Sequence, residues 1–209
     1  MGPMVMAAVA LDSKAAAALT RAGLRDSKAY GAGEDAHELR CALAAEIRKR
    51  ATFVASVEVE CSEIDERVCR GELNVLEREI AIRMIDQAPT VDKIIADGKR
   101  MFQPLALRYA QFESRDRAEE HHASVAAASV IAKSIRDQRF NAIRQRYESE
   151  FGKITGNGYV NDGTRKFIRA YATRYGRLPE ETRRSWPHLY VKDILGDVQL
   201  PGPQLDLLA

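Results

Sequence analysis

The chain has 209 residues, 45% of them hydrophobic and 30% charged, which suits a globular protein with a real core: one sizeable domain, or a core domain with a small appendage. No apolar stretch approaches the about eighteen residues that cross a bilayer, which excludes a membrane-spanning helix. The formal net charge is +2, a total that does not announce a nucleic-acid binder, and Cys41, Cys61 and Cys69 are odd in number and spaced unlike zinc ligands, so reduced core thiols in a cytosolic protein are expected.

Met4 to Leu11 is short, apolar and partly β-branched, and reads as a buried strand. It imitates the core of a signal peptide, but no basic residue precedes it and Asp12 ends it. Glu34 to Arg50 carries Ala36, Leu39, Leu43 and Ile47, with Ala51 beyond, at helical spacing. Thr52 to Glu60 alternates at period two, with Phe53, Ala55, Val57 and Val59 on one face of a half-buried strand. Ser62 is expected to cap the next helix, and Leu73 to Ala88 forms another, stopped by Pro89. Lys93 to Asp97 is a short strand, and Leu107 to Phe112 a further one. A long helix runs from about Ser124 to about Glu150 and stops at Gly152. Gly156-Asn157-Gly158 is a turn, Thr164 to Tyr175 a helix ending before Gly176, and Pro201-Gly202-Pro203 opens onto a loose tail. Strands alternating with helices predict an α/β sheet domain over residues 1–150, a small helical part over 151–196 and a flexible tail over 197–209.

Charge is unevenly placed. Arg136, Arg139, Arg144, Arg146, Lys153, Arg165, Lys166, Arg169, Arg174, Arg177, Arg183 and Arg184 make the final third basic. A one-sided positive surface is the electrostatic footprint of a polyanion ligand, although a solvated helix face is the plainer alternative.

Two carboxylates stand in settings that suit chemistry. Asp97 closes the apolar run Ile94-Ile95-Ala96, and Asp137 lies on the alanine-rich helix, where Ser129, Lys133 and Asp137 share a face at spacing four. Ala126, Ala127, Ala128 and Ala132 are small enough to bring that helix close to a sheet, and a polar stripe on a buried helix needs partners. Singly, each has a plainer reading: a surface ion pair for Lys133–Asp137, a turn for Asp97-Gly98. His121 and His122 precede the long helix and read as exposed loop residues.

Taken in order, Asp26-Ser27-Lys28, Ser62-Glu63-Ile64-Asp65, Leu73-Asn74-Val75-Leu76-Glu77, Ala96-Asp97-Gly98, Ala126 to Asp137, Gly158-Tyr159 with Asn161-Asp162, and Arg184-Ser185-Trp186 resemble the successive motifs of type 2 ribonuclease H, ribonuclease HII, in its archaeal and eukaryotic-like branch. The resemblance runs from Gly2-Pro3 to about Trp186. It implies a ribonuclease-H-like mixed sheet flanked by helices, and hydrolysis of the RNA strand of RNA–DNA hybrids or at ribonucleotides embedded in DNA. It implies four acidic residues holding magnesium or manganese, with Asp97 and Asp137 as catalytic and metal-binding carboxylates. Two metals roughly 4 Å apart can activate the attacking water and stabilise the departing 3′ oxygen, and carboxylates are the hard ligands such ions take. Tyr159 matches the tyrosine that reads the junction ribose, and Lys28 and Lys133 would contact phosphate or hold the acidic cluster. Glu63 and Asp65 fall in a motif read as structural, a helix start.

The family also opens with a central strand ending in Asp-Glu and a glycine- and arginine-containing loop, just upstream of the match to Gly2-Pro3. Two of the four acidic ligands are therefore expected from a segment ahead of Met1, with the gene product beginning further upstream. The expected partner is an RNA–DNA hybrid or ribonucleotide-containing duplex, with no membrane, and the protein is expected to be a cytoplasmic monomer. The alternative is a catalytically inactive hybrid-binding relative that has lost half of its metal site.

Overall fold

The computed structural model describes residues 1–25, 34–156, 158–159, 161–185, 191 and 193–194. Lys28, Trp186 and the tail lie outside the described residues. By its contacts the chain forms two compact units. One comprises Met1–Met4, Glu58–Leu73 and Arg136–Ala209; the other comprises Val5–Val57 and Asn74–Ile135.

The unit of Val5–Val57 and Asn74–Ile135 holds most of two short ladders. Strand β1 (Met4–Ala10) pairs with β2 (Phe53–Val59), and the Thr52 N–H donates to Ala10 O at 3.0 Å, setting the start of β2 beside the end of β1. Strand β3 (Ile94–Asp97) runs parallel to β4 (Phe112–Arg115), with Ile94 opposite Phe112 and Asp97 opposite Arg115. Among the described residues the strands thus form two two-stranded ladders where a single mixed sheet is expected, and every residue of β1 is half-buried where a buried strand is expected.

Between β1 and β2 come helices α1 (Ser13–Arg21) and α2 (Glu34–Arg50). α1 starts because the Asp12 carboxylate accepts from Ala15 N–H at 2.7 Å, an ordinary N-cap. On α2, Ala36, Leu43 and Ile47 are buried as their spacing requires, but Leu39 is 44% exposed and its neighbour Arg40 is buried. Leu19, Leu43, Ala44 and Ile47 form a core with Ala126, Ala127, Val130 and Ile131, on which Ala7 and Val9 of β1 and Val54 of β2 pack. The alanine-rich run therefore does what small side chains allow, and seats its helix closely against the first ladder.

Helix α3 (Cys61–Cys69) belongs to the other unit, and α4 (Leu73–Gln87) follows it. α3 begins one residue before Ser62: Glu60 is its N-cap and contributes no side-chain cap, while Glu60 O accepts from Ile64 N. After β3 come a short helix, α5 (Lys99–Phe102), and a 3₁₀ segment, Gln103–Leu107, with Pro104 in its first turn. The strand expected over Leu107 to Phe112 is therefore displaced to Phe112–Arg115. Leu107 is 95% exposed, while Phe102, Leu105 and Phe112 form a small core with Ala81.

Helix α6 (Ala123–Phe151) is followed by α7 (Asp162–Tyr175), which is capped by Asn161 and closed by Gly176 in the left-handed region, φ 64°. Phe140 and Ile143 of α6 pack with Phe167, Ile168 and Tyr171 of α7 and with Leu178, Val191 and Ile194. Tyr147 and Phe151 complete this core through edge and tilted contacts with Phe167 and Tyr171, ring centroids 5.2–5.6 Å apart. The start of α7 lies hard against residue 155: a Cβ at Gly163 would run into Thr155 Oγ1 and come 2.5 Å from Thr155 O.

Candidate active site

Asp97 ends β3 exposed, at the tip of the parallel ladder. Ala118 N–H donates to its Oδ1 at 3.0 Å, which fixes the carboxylate from one side. The surrounding turn is tied down as well. Gly98 N–H donates to Arg115 O at 2.9 Å, and Lys99 N–H donates to an Asp116 oxygen at 2.8 Å. Gly98 has φ 109°, a conformation that side chains avoid, so glycine after Asp97 lets the chain turn into α5 while the carboxylate stays at the strand end.

Ser129, Lys133 and Asp137 keep their common face on α6, and all three are half-buried. Lys133 belongs to the unit that holds Asp97, and Asp137 to the other. Among the described residues, no group of three or more His, Cys, Asp or Glu side chains is placed to hold a metal ion. The donor chemistry nevertheless suits a hard divalent ion. Magnesium characteristically takes one or two carboxylates and fills its remaining positions with water and substrate phosphate. Asp97, exposed with one oxygen anchored by backbone, is a carboxylate of that kind.

Tyr159 is 55% exposed and lies against Arg136, whose guanidinium carbon is 3.7 Å from the ring centroid. Burial pulls the Arg136 guanidinium below its ordinary value, while the Tyr159 phenol and Asp137 act the other way. The neighbouring Gly158 has φ 73° and its carbonyl accepts from the Met1 amine at 2.7 Å. Sequence reasoning missed Arg136; its position one residue before Asp137 was visible, but its ring partner lies on a distant turn.

The motif holding Glu63 and Asp65 lies at a helix start, in the opening turns of α3, and Asp65 has a structural role there. Its carboxylate accepts from Arg184 N–H and Ser185 N–H, each at 2.9 Å, and from the Ser185 hydroxyl, so it anchors the Arg184-Ser185 turn. The neighbouring chain is gathered in the same way: Arg183 donates to Gly2 O and Pro3 O, and the Cys61 thiol donates to Gly2 O and Glu181 O. Burial pushes that thiol's pKa up, as expected of an inert core cysteine, whereas Cys41 is half-buried and Cys69 exposed. His121 is exposed; His122 is half-buried and burial lowers its pKa.

The basic final third is not a bare positive stripe. Arg139 makes two hydrogen bonds to Glu58, and Arg144, Arg146, Arg174 and Arg177 pair with Glu148, Glu181, Glu150 and Glu180.

The fold matches solved structures. The fold superposes on the crystal structure of the ribonuclease H2 from Pyrococcus horikoshii OT3 with a TM-score of 0.77, covering 95% of this chain and 92% of that one at 22% identity. It also superposes on RNase HII from the PCNA:RNase HII complex of Archaeoglobus fulgidus, with a TM-score of 0.72, 99% and 93% coverage and 26% identity. A structure of Bst-RNase HIII in complex with Mn2+ matches with a TM-score of 0.68, over 95% of this chain and 66% of that one, at 21% identity. The protein thus has the ribonuclease-H-like α/β fold, with helices dominating over small sheets. The Ribonuclease HII family model matches residues 1–189, and Ribonuclease HII of Methanothermobacter thermautotrophicus is 33% identical over 195 residues, 89% of each chain. The chain belongs to the ribonuclease HII family, the type 2 ribonuclease H hydrolases, which cleave RNA in RNA–DNA hybrids and depend on divalent metal.

Proposed function

We propose that this chain is an endonuclease acting on RNA–DNA hybrids and on ribonucleotides embedded in duplex DNA, with Asp97 and Asp137 as its catalytic carboxylates and magnesium or manganese as the ion they hold. The observation that carries this reading is Asp97 itself, exposed at the end of β3 with one oxygen fixed by the Ala118 N–H. A bound divalent ion would supply an activated water and charge stabilisation at the departing 3′ oxygen. The chain's own residues bind and orient: Lys133 and Lys28 neutralise phosphate, and Tyr159 presents its hydroxyl to the 2′-hydroxyl that separates RNA from DNA. The test is Asp137→Asn, made in a protein that carries the expected upstream Asp-Glu strand, assayed on a hybrid. Loss of cleavage with hybrid binding retained supports the assignment, and near-full cleavage overturns it.

We read the protein as a cytoplasmic monomer, in keeping with its free cysteines; size-exclusion chromatography with light scattering tests the monomer. A PCNA-type partner, seen with the Archaeoglobus fulgidus relative, is extended here to this chain. The segment Gln204 to Leu208, after Pro201-Gly202-Pro203, carries Leu205, Leu207 and Leu208 and is the part of the tail we assign to that partner. Removing residues 204–209 should abolish clamp binding in surface plasmon resonance; unchanged binding overturns this partner site.

A further inference from the structure

We propose that Arg136 is a positioning residue for Tyr159, a flat guanidinium shelf that holds one face of the ring so that the other face and the hydroxyl meet the sugar of the substrate. The inference rests on the reading of Tyr159 as the ribose contact.

The geometry assigns the role. At 3.7 Å from the centroid, the Arg136 carbon is at stacking distance, well inside the roughly 6 Å limit for a cation over an aromatic face. Arg136 is half-buried on α6 while Tyr159 is more than half exposed, so the arginine is the fixed partner and the tyrosine the presented one. The backbone beneath the ring is also held. Gly158 is buried, its carbonyl accepts from the Met1 amine, and a Cβ there would come 2.8 Å from both Met1 O and Phe140 Cδ2. On the other side, Asn161 Nδ2 donates to Tyr159 O at 3.1 Å while its Oδ1 caps α7 through Thr164 N–H at 2.9 Å. Both flanks of Tyr159 are thus anchored, and the side chain's remaining freedom is its swing, which the Arg136 plane removes. Lysine cannot replace this function, because an ammonium carries the charge without the plane. Arg136 also adjoins Asp137 in sequence, so the element carrying the proposed catalytic carboxylate carries the shelf too.

The test measures binding in EDTA, by fluorescence anisotropy, to a duplex containing one ribonucleotide and to the all-DNA duplex of the same sequence. Arg136→Met and Arg136→Lys should each reduce the preference for the ribonucleotide duplex about three- to tenfold. In the Tyr159→Ala background, Arg136→Met should cause no further loss of preference. Proton NMR supplies an independent readout: the Arg136 side-chain methylenes should sit upfield under the Tyr159 ring current and return to ordinary positions in Tyr159→Ala. Arg136→Lys guards against a folding defect, since it conserves charge and most of the stem. If Tyr159→Ala lowers the preference while Arg136→Met and Arg136→Lys do not, the shelf is overturned and the ribose reading stands. Additive losses in the double variant would mean that Arg136 contacts the nucleic acid directly, which also overturns the shelf. If Tyr159→Ala leaves the preference unchanged, the ribose reading fails and the shelf's purpose fails with it.

Discussion

Asp65 and Ser185 are joined twice, since one carboxylate oxygen accepts from both the backbone N–H and the hydroxyl of Ser185. The other oxygen takes Arg184 N–H. Asp65→Ala strips two backbone donors of their partner at once, and leaving such donors unpaired costs about 1–3 kcal/mol each. We expect Asp65→Ala to lose about 2–4 kcal/mol in urea unfolding. Asp65→Asn keeps acceptor oxygen on one side and should lose about half as much. A loss below about 0.5 kcal/mol for the alanine variant would remove Asp65 from any structural role.

Asp97 separates stability from chemistry. Asp97→Asn retains an oxygen for the Ala118 N–H, whereas Asp97→Ala orphans a donor on a fully buried residue. Both variants should lose hybrid cleavage by at least about a hundredfold, because metal catalysis supplies several kcal/mol. Only the alanine variant should also lose stability, by about 1–2 kcal/mol. Parallel differential scanning calorimetry and cleavage assays check the pair; activity tracking stability across both variants would argue against a chemical role.

The paired arginines bear on nucleic-acid affinity. Each phosphate contact made by a basic side chain steepens the fall of log K with log salt by about 0.9 on duplex DNA. Arg139 is committed to Glu58 through two hydrogen bonds, so Arg139→Ala should leave the salt slope of hybrid binding unchanged. Anisotropy titrations across a salt series measure it. A slope shallower by about 0.9 would place Arg139 on a phosphate.

Tyr147 gives a signature at alkaline pH. Burial first, then the charge of Glu181 and the hydrogen bond the phenol donates to it at 3.0 Å, push its pKa up to about 12 from an ordinary 10.0. Between those values the folded protein keeps a proton that the unfolded chain releases, so this group's stabilisation is complete below pH 10 and lost as pH rises toward 12. Tyr147→Phe should flatten the stability profile in that window. Tyr109 and Tyr175 are also shifted upward, so ultraviolet titration of the folded protein should show one fewer late-ionising tyrosine in the variant than in the wild type.

How far the sequence could be read depended on the range of the forces involved. Strand β2 was legible because its alternation is local, and α6 because alanine-rich helical spacing runs far beyond any strand. The capping carboxylate of α1 was visible at Asp12, followed by a strong helix-forming run, yet the strand before it drew the reading. The stretch Leu107 to Phe112 misled because scattered apolar residues, broken by Arg108 and Gln111, cannot by themselves tell a strand from an exposed turn. Pro104 starts a 3₁₀ segment just ahead of it, and pairing with β3 fixes the strand at Phe-Glu-Ser-Arg, three polar residues of four. On α2, spacing put Leu39 with the core, but helical periodicity does not fix where the buried stripe ends, and Arg40 took the place. Of the proposed site, Asp97 and Asp137 were visible in the sequence as residue types in suggestive settings; the Arg136 stack and the Asp65 anchor were not, since each joins side chains far apart in sequence.

The fit of Gly163 against Thr155 has a consequence for how this protein tolerates variation. A methyl group at 163 would overlap the threonine hydroxyl, which a second substitution could remove, but it would still meet the carbonyl oxygen and carbon of residue 155 at 2.5 and 2.9 Å. Those atoms belong to every amino acid. In a randomised library, no suppressor at 155 alone should therefore rescue an alanine at 163, and among folded survivors that position should read as glycine whatever its neighbour becomes.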